Sequence, residues 1–195
     1  MPWRTSICKH MTYEIQFHDY WHAGSGQSGG TRADQLVNRT REGFPRVPGR
    51  TVKGLLRHAA EDLCALDHPQ CTRDAIDAVF GRHPDATGTG RYETMGAAFF
   101  GDATLNAATQ SAIGEERSPL LYDVLANTAI DPASGTVKDK TLRQIEVTIP
   151  LRLYGQIDGA DGYQKLLQTC CRYVKRLGQQ RSRGLGRCTL NILDQ

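Results

Sequence analysis

The chain has 195 residues, 39% hydrophobic and 23% charged, with 20 glycines, 8 prolines and a net charge of +3. That length buries one core, aliphatic residues occur throughout, and no run of about eighteen apolar residues is present, so wholesale disorder and a membrane-spanning helix are both excluded. The opening Met1-Pro2-Trp3-Arg4-Thr5-Ser6 lacks the apolar core of a secretion signal, which predicts a cytoplasmic protein with no membrane partner, whose six cysteines are thiols or metal ligands rather than a disulfide scaffold.

From Thr12 to Phe17 the chain alternates Tyr13, Ile15 and Phe17 inward with Thr12, Glu14 and Gln16 outward, the pattern of a half-buried strand. It runs into a glycine-rich loop, His22 to Gly30, suited to bringing backbone amides close to a ligand. After the turn residues Pro45 to Gly49, the spacing of Val52, Leu55, Leu56, Ala59, Ala60 and Leu63 predicts an amphipathic helix over about 51–64. Pro69 and Thr72 mark the end of that helix near Leu66 and the start of another at Thr72. Two strand-like stretches follow, Gly96 to Leu105 and an alternating run Ile145, Val147, Ile149, Leu151 and Leu153. A second helix is expected from Tyr163 to Leu177, with Gly178 as its C-terminal cap, and a last strand carries Cys188, Leu190 and Ile192. This order predicts an α+β fold, the split βαβ or ferredoxin-like arrangement. The stacking aromatics of an RNA-recognition motif are missing, because the adjacent Phe99 and Phe100 must point to opposite faces.

Charge is unevenly distributed. From Gly162 to Leu193 there is no acidic residue, against Lys165, Arg172, Lys175, Arg176, Arg181, Arg183 and Arg187. A second cluster, Arg32 to Arg57, holds Arg39, Arg41, Arg46, Arg50 and Lys53 with only Asp34 and Glu42 opposed. Two basic segments suggest a polyanionic partner. Pro48-Gly49-Arg50-Thr51-Val52-Lys53-Gly54-Leu55-Leu56-Arg57 sets three cations around a helix start, whose free amides attract phosphate, without the spacing of a Walker loop. The segment from Gly178 to Arg187 alternates small residues with arginines, along which backbone phosphates could lie.

Four segments in order resemble the RAMP superfamily of CRISPR-associated proteins: Phe44 to Arg57, Val79-Phe80-Gly81, Gly96 to Leu105 and Ser182 to Arg187. The chain is most similar to the backbone subunit of type III CRISPR effector complexes, from about Thr12 to Ile192. The resemblance implies one domain with an RRM-like palm, about 11–125 and 145–195, and a hairpin thumb, about 126–146, whose Ile130 or Val137 would wedge into a duplex. It implies partners: CRISPR RNA, complementary target RNA, further copies of the chain and other effector subunits. It implies Asp34 as the catalytic carboxylate, with Mg2+ or another divalent cation, and His22, Arg50, Lys53, Arg57, Arg181, Arg183 and Arg187 as RNA contacts.

Some members of the superfamily carry a zinc knuckle between the first helix and the Phe-Gly turn. His58, Cys64, His68 and Cys71 are zinc-competent there, within about 58–83, with His83 as a substitute ligand. Two alternatives to target cleavage remain at this point. One is a backbone subunit that binds guide without cutting, the other an endonuclease that processes CRISPR precursor RNA, normally built from two ferredoxin-like halves.

Overall fold

The computed structural model describes residues 10–30, 33–82, 95–137 and 141–193. Strand β1, Met11–Phe17, lies at the centre of the main sheet between β7, Arg152–Asp158, and β8, Cys188–Leu193, both antiparallel to it. Ile15 faces Leu153 on one side and Leu190 on the other. The expected alternation is realised: Tyr13, Ile15 and Phe17 are buried among the core residues.

Helix α1, Gly49–Ala65, presents Val52, Leu56, Ala59, Ala60 and Leu63 to that core, and α4, Gln164–Tyr173, adds Leu166, Leu167, Cys170 and Cys171. Between them α2, Arg73–Phe80, starts on Thr72, whose hydroxyl accepts the Ala75 N–H. The stretch around Phe99 forms two short strands, β3, Phe99–Phe100, and β4, Ala103–Thr104, which continue the sheet beyond β7 and pair with it. Strand β2, Arg46–Val47, lies beyond β4. Reading β3 and β4 as one interrupted strand, the order across the sheet is that of a ferredoxin-like βαββαβ unit. Among the described residues no helix is long and apolar enough to cross a membrane.

The alternating run from Ile145 to Leu153 is two strands rather than one. Strand β6, Arg143–Thr148, pairs with β5, Tyr122–Asn127, in a separate two-stranded sheet, and the chain enters the main sheet only at β7. Pro150, which has no N–H to donate, sits at the break. The alternating apolar spacing runs on through the bend at Pro150, so periodicity alone could not mark the boundary. The helix expected to reach Leu177 stops at Tyr173: Val174 is extended, and the Leu177 N–H donates to Gly186 O at 2.8 Å. Val174 and Leu177 are buried from an extended segment, and Gly178, at φ +103°, packs against the His22 carbonyl instead of capping a helix. Two elements carried too little hydrophobic pattern to be foreseen: α3, Ala107–Ile113, capped by Asn106, and a 3-10 turn, Glu115–Leu121.

Candidate nucleic-acid interface

Three chain segments meet beside α1. The first follows β1 and carries His22 and Gly24. The second is the helix start Pro48-Gly49-Arg50. The third is the basic segment Gly178 to Arg187. They enclose a cavity of about 390 Å3 lined by His22, Asn38, Arg50, His58, Gln179 and Arg181 among others. Leu55, His58 and Arg181 also wall a second cavity of about 470 Å3, reaching Tyr173, Lys175 and Arg176, so the two form one groove. Asn38 is shared with a third cavity of about 620 Å3, which holds Arg39, Arg46 and Glu146 at the base of the β5–β6 hairpin.

Backbone packing sets this geometry. At Gly49 a Cβ would collide with the Phe100 carbonyl, and the Gly49 N–H donates to Asp102 Oδ1 at 2.8 Å, which fixes the helix start onto β3 and β4. The N-cap residue, Pro48, offers no side-chain bond, and the Asp102 carboxylate on the Gly49 N–H offsets the positive end of the helix dipole. Arg50, Lys175, Arg176, Arg181 and Arg183 make no ion pair among the described residues, which leaves their charge available to a ligand. Arg176 instead donates to the Arg181 carbonyl, ordering the turn that presents Arg181.

His22 is fully buried at the groove wall. Its Nδ1 lies 2.6 Å from the Glu146 carbonyl, an acceptor only, so Nδ1 carries the proton. Nε2 has no partner. In the neutral ring this leaves a lone pair beside the groove. Lys53 and Arg57, which the sequence groups with Arg50, lie on another face of α1 and line neither cavity. The Lys53 ammonium donates to Ala98 O at 2.9 Å, and burial, then the Arg57 charge, hold its pKa below the ordinary value. Arg57 pairs with Glu61 at 2.9 Å. Arg187 pairs with Asp19 at 3.3 Å, and Arg183 stands exposed in the same turn.

Asp34 is exposed on a segment that adds to β6. Its N–H donates to Gln144 O at 2.7 Å, and its Oδ2 accepts the Gln144 N–H at 2.8 Å. Arg39, nearby in sequence, is not its partner: it pairs with Glu146 at 2.5 Å and stacks over the Tyr122 ring at 3.7 Å. Glu146, which sequence reading passed over, joins all these parts. Its N–H donates to Gln35 O, its Oε2 accepts the Val37 N–H at 3.1 Å, and its carbonyl holds His22. Strand alternation places it among outward residues, so only the packing of a second segment on β6 reveals it. Ile130 and Val137 face each other across the hairpin beyond β5 and β6, both exposed.

The four zinc-competent side chains do not converge. His58 faces the groove, whereas Cys64, six residues on and about 120° away around the helix axis, packs against the core near Cys71. His68 Nδ1 accepts the Gln70 N–H. Cys71 instead meets Cys170, and burial pushes both thiols up. Among the described residues no group of three ligands could hold a metal ion, and His83 lies outside them. Among the described residues, His58, Cys64, His68 and Cys71 do not form a zinc site.

The sequence model of the RAMP superfamily matches residues 14–189. No curated protein matches the chain. The fold is similar to a chain of the cryo-EM structure of type III-B Cmr-beta bound to cognate target RNA, with a TM-score of 0.70 at 13% identity, covering 94% of this chain and 97% of the other. A chain of the apo-state type III-B Cmr-beta structure is similar at a TM-score of 0.65 and 12% identity, covering 95% and 97%.

Proposed function

The chain belongs to the RAMP superfamily, and on that premise we propose that it is a backbone subunit of a type III CRISPR ribonucleoprotein. It binds CRISPR RNA along the groove, repeats as copies along that guide, and cleaves complementary target RNA at regular intervals. The observation that carries this reading is the convergence of three basic or glycine-rich segments, distant in sequence, on one groove with uncommitted cations. Such a wall neutralises phosphates without reading bases, as a guide-binding surface requires. The β5–β6 hairpin, with exposed Ile130 and Val137 near its described end, is the thumb that separates target nucleotides.

Cleavage is assigned to Asp34. One carboxylate oxygen is held by Gln144 and the other is uncommitted among the described residues, an arrangement that suits Mg2+, which keeps most of its waters and takes few protein ligands. When bound there by Asp34, the cation would supply charge stabilisation to the phosphorane. The chain's own part is to hold the target so that a ribose 2′-hydroxyl lies in line with its own 3′-phosphate, with Asp34 orienting that hydroxyl. Attack forms the 2′,3′-cyclic phosphate and expels the 5′-oxygen of the next nucleotide.

The bond from Asp34 to Gln144 also favours a second reading, a guide-binding subunit in which this carboxylate is structural and another subunit cuts. The experiment that separates them reconstitutes the complex with guide, Mg2+ and complementary RNA. Asp34→Asn, which keeps an oxygen for the Gln144 N–H, should abolish regularly spaced cuts while guide content stays unchanged. Cuts that persist at the same spacing would leave the second reading. Arg50→Ala with Arg181→Ala should weaken guide binding for every sequence and lower the salt slope by about 1.4, the value for two contacts on a single strand; an unchanged slope would remove the groove from RNA binding.

A further inference from the structure

His22 carries an acceptor that phosphate binding does not use. The ring is fully buried, its Nδ1 proton is committed to the Glu146 carbonyl at 2.6 Å, and its Nε2 lone pair has no donor among the described residues. A buried acceptor left unpaired costs free energy that a ligand's donor recovers. This nitrogen stands at the wall of the 390 Å3 cavity, with Gly24 and Gln179 beside it. A Cβ added at Gly24 would lie 3.0 Å from His22 Nε2 and 2.9 Å from the Gln179 side-chain nitrogen, so one oxygen entering from the cavity can reach both. The main chain here is fixed: Asn38 Nδ2 donates to Gly24 O at 2.6 Å, and the Gln179 N–H donates to His22 O at 2.9 Å. The Gln179 side chain is exposed and uncommitted among the described residues, so it can swing aside to admit that oxygen and then close on it.

We propose that this site receives a ribose 2′-hydroxyl of the bound strand and thereby selects RNA over DNA. The inference rests on the RNA-binding reading of the groove and names the backbone group that the groove recognises. Within a strand, phosphate and ring oxygens only accept hydrogen bonds; the 2′-hydroxyl is the one backbone donor, and DNA has none. The Glu146 carbonyl fixes the tautomer, so Nε2 can accept but not donate, and a DNA backbone offers it nothing. In RNA the hydroxyl donates to Nε2 and accepts from the Gln179 amide, while Arg50 and Arg181, which line the same cavity, hold neighbouring phosphates. Every ribonucleotide carries this group whatever its base, so the selection suits a guide of any sequence.

The test is fluorescence anisotropy of the full chain with labelled uridine octamers that differ only at the 2′ position, carrying hydroxyl, fluorine or hydrogen. Fluorine keeps the ribose pucker but has no proton to donate. The wild-type chain should bind the ribose octamer about fivefold more tightly than the fluoro one, the worth of one hydrogen bond, and the deoxy octamer no more tightly than the fluoro. His22→Leu should bring the ribose octamer down to the fluoro value and leave the fluoro octamer unchanged. Gly24→Ala, whose methyl fills the gap without removing the ring, should do the same, and it decides the matter where a thermal melt shows His22→Leu unfolded. Equal wild-type affinity for ribose and fluoro octamers, or a preference that survives in folded Gly24→Ala, overturns the hydroxyl site and leaves the RNA groove standing. Equal weakening of all three octamers by folded His22→Leu would assign the ring to phosphate and likewise overturn it. Failure of the wild-type chain to bind any octamer overturns both the site and the groove.

Discussion

Replacing Glu146 tests how the groove, the Asp34 segment and the hairpin are held together. Its side chain is 3% exposed and pairs with Arg39, itself 35% exposed, at 2.5 Å. Glu146→Ala removes that pair and leaves the Val37 N–H, now bonded to Oε2 at 3.1 Å, without an acceptor. Breaking a fully buried pair costs about 3–5 kcal/mol. Arg39 reaches water and keeps its stack on Tyr122, so a cost below that range applies, about 2–3 kcal/mol, and the orphaned amide adds about 1–3 kcal/mol. A total near 4 kcal/mol corresponds to a Tm fall of about 8–16 °C for a chain of this length. Glu146→Gln retains an acceptor for Val37 and loses only charge, so about 2 kcal/mol is expected. Thermal and urea melts measure both variants, and amide exchange reports whether residues 34–37 lose protection first. A cost below 1 kcal/mol for Glu146→Ala, or unchanged exchange at Gln35 and Val37, would refute the argument that this one residue fastens the segment to β6.

Three further outcomes follow from the geometry. Lys53→Gln should lower stability, since the bond to Ala98 O is lost, yet leave the salt slope of RNA binding unchanged, in contrast to Arg50→Ala; a reduced slope would place Lys53 in the groove after all. Gly49→Ala should cost about 3 kcal/mol or more in a urea melt, because the added methyl meets the backbone carbonyl of Phe100, which cannot swing aside as a side chain would. Burial pushes the Cys171 and Cys188 thiols from near 9 up to about 12. Over that interval the folded chain keeps protons that the unfolded chain has released, so stability is complete below pH 9 and falls as pH rises. The slope is at most about 1.4 kcal/mol per pH unit for each thiol. Cys171→Ala should flatten it in pH-stepped denaturant melts, and an unchanged slope would show that this thiol is not the source.

What the sequence disclosed was governed by local chemistry. The strand at Tyr13, Ile15 and Phe17, the helix through Val52 and Leu63, and its end near Leu66 all follow from periodicity and turn residues, and the structure has them there. Where one residue type serves two conformations, the pattern misled. Val174 and Leu177 fit a helical stripe but are buried from an extended segment, and the phase of Ile145 to Leu153 passes through Pro150 without a break. The site behaved likewise. Arg50 and Arg181 could be named from charge beside glycine, but the diversion of Lys53 to Ala98 and of Arg57 to Glu61 depends on which side of α1 each occupies. The four zinc-competent residues are close along the chain, yet a helix turns His58 and Cys64 away from each other. Glu146 and Asn38 act through segments distant in sequence, for which no local signal exists.

The two glycines that bound the groove also separate its dimensions from its chemistry. Where Gly49 meets Phe100 and Gly178 meets His22, main chain rests on main chain, so the placement of the helix start and of the basic segment is gauged by atoms that every amino acid shares. Wall side chains can then be exchanged, retuning charge, while that placement stays constant. This also directs engineering: changes belong on side chains such as Arg50 and Arg181, and the two glycines are to be left untouched.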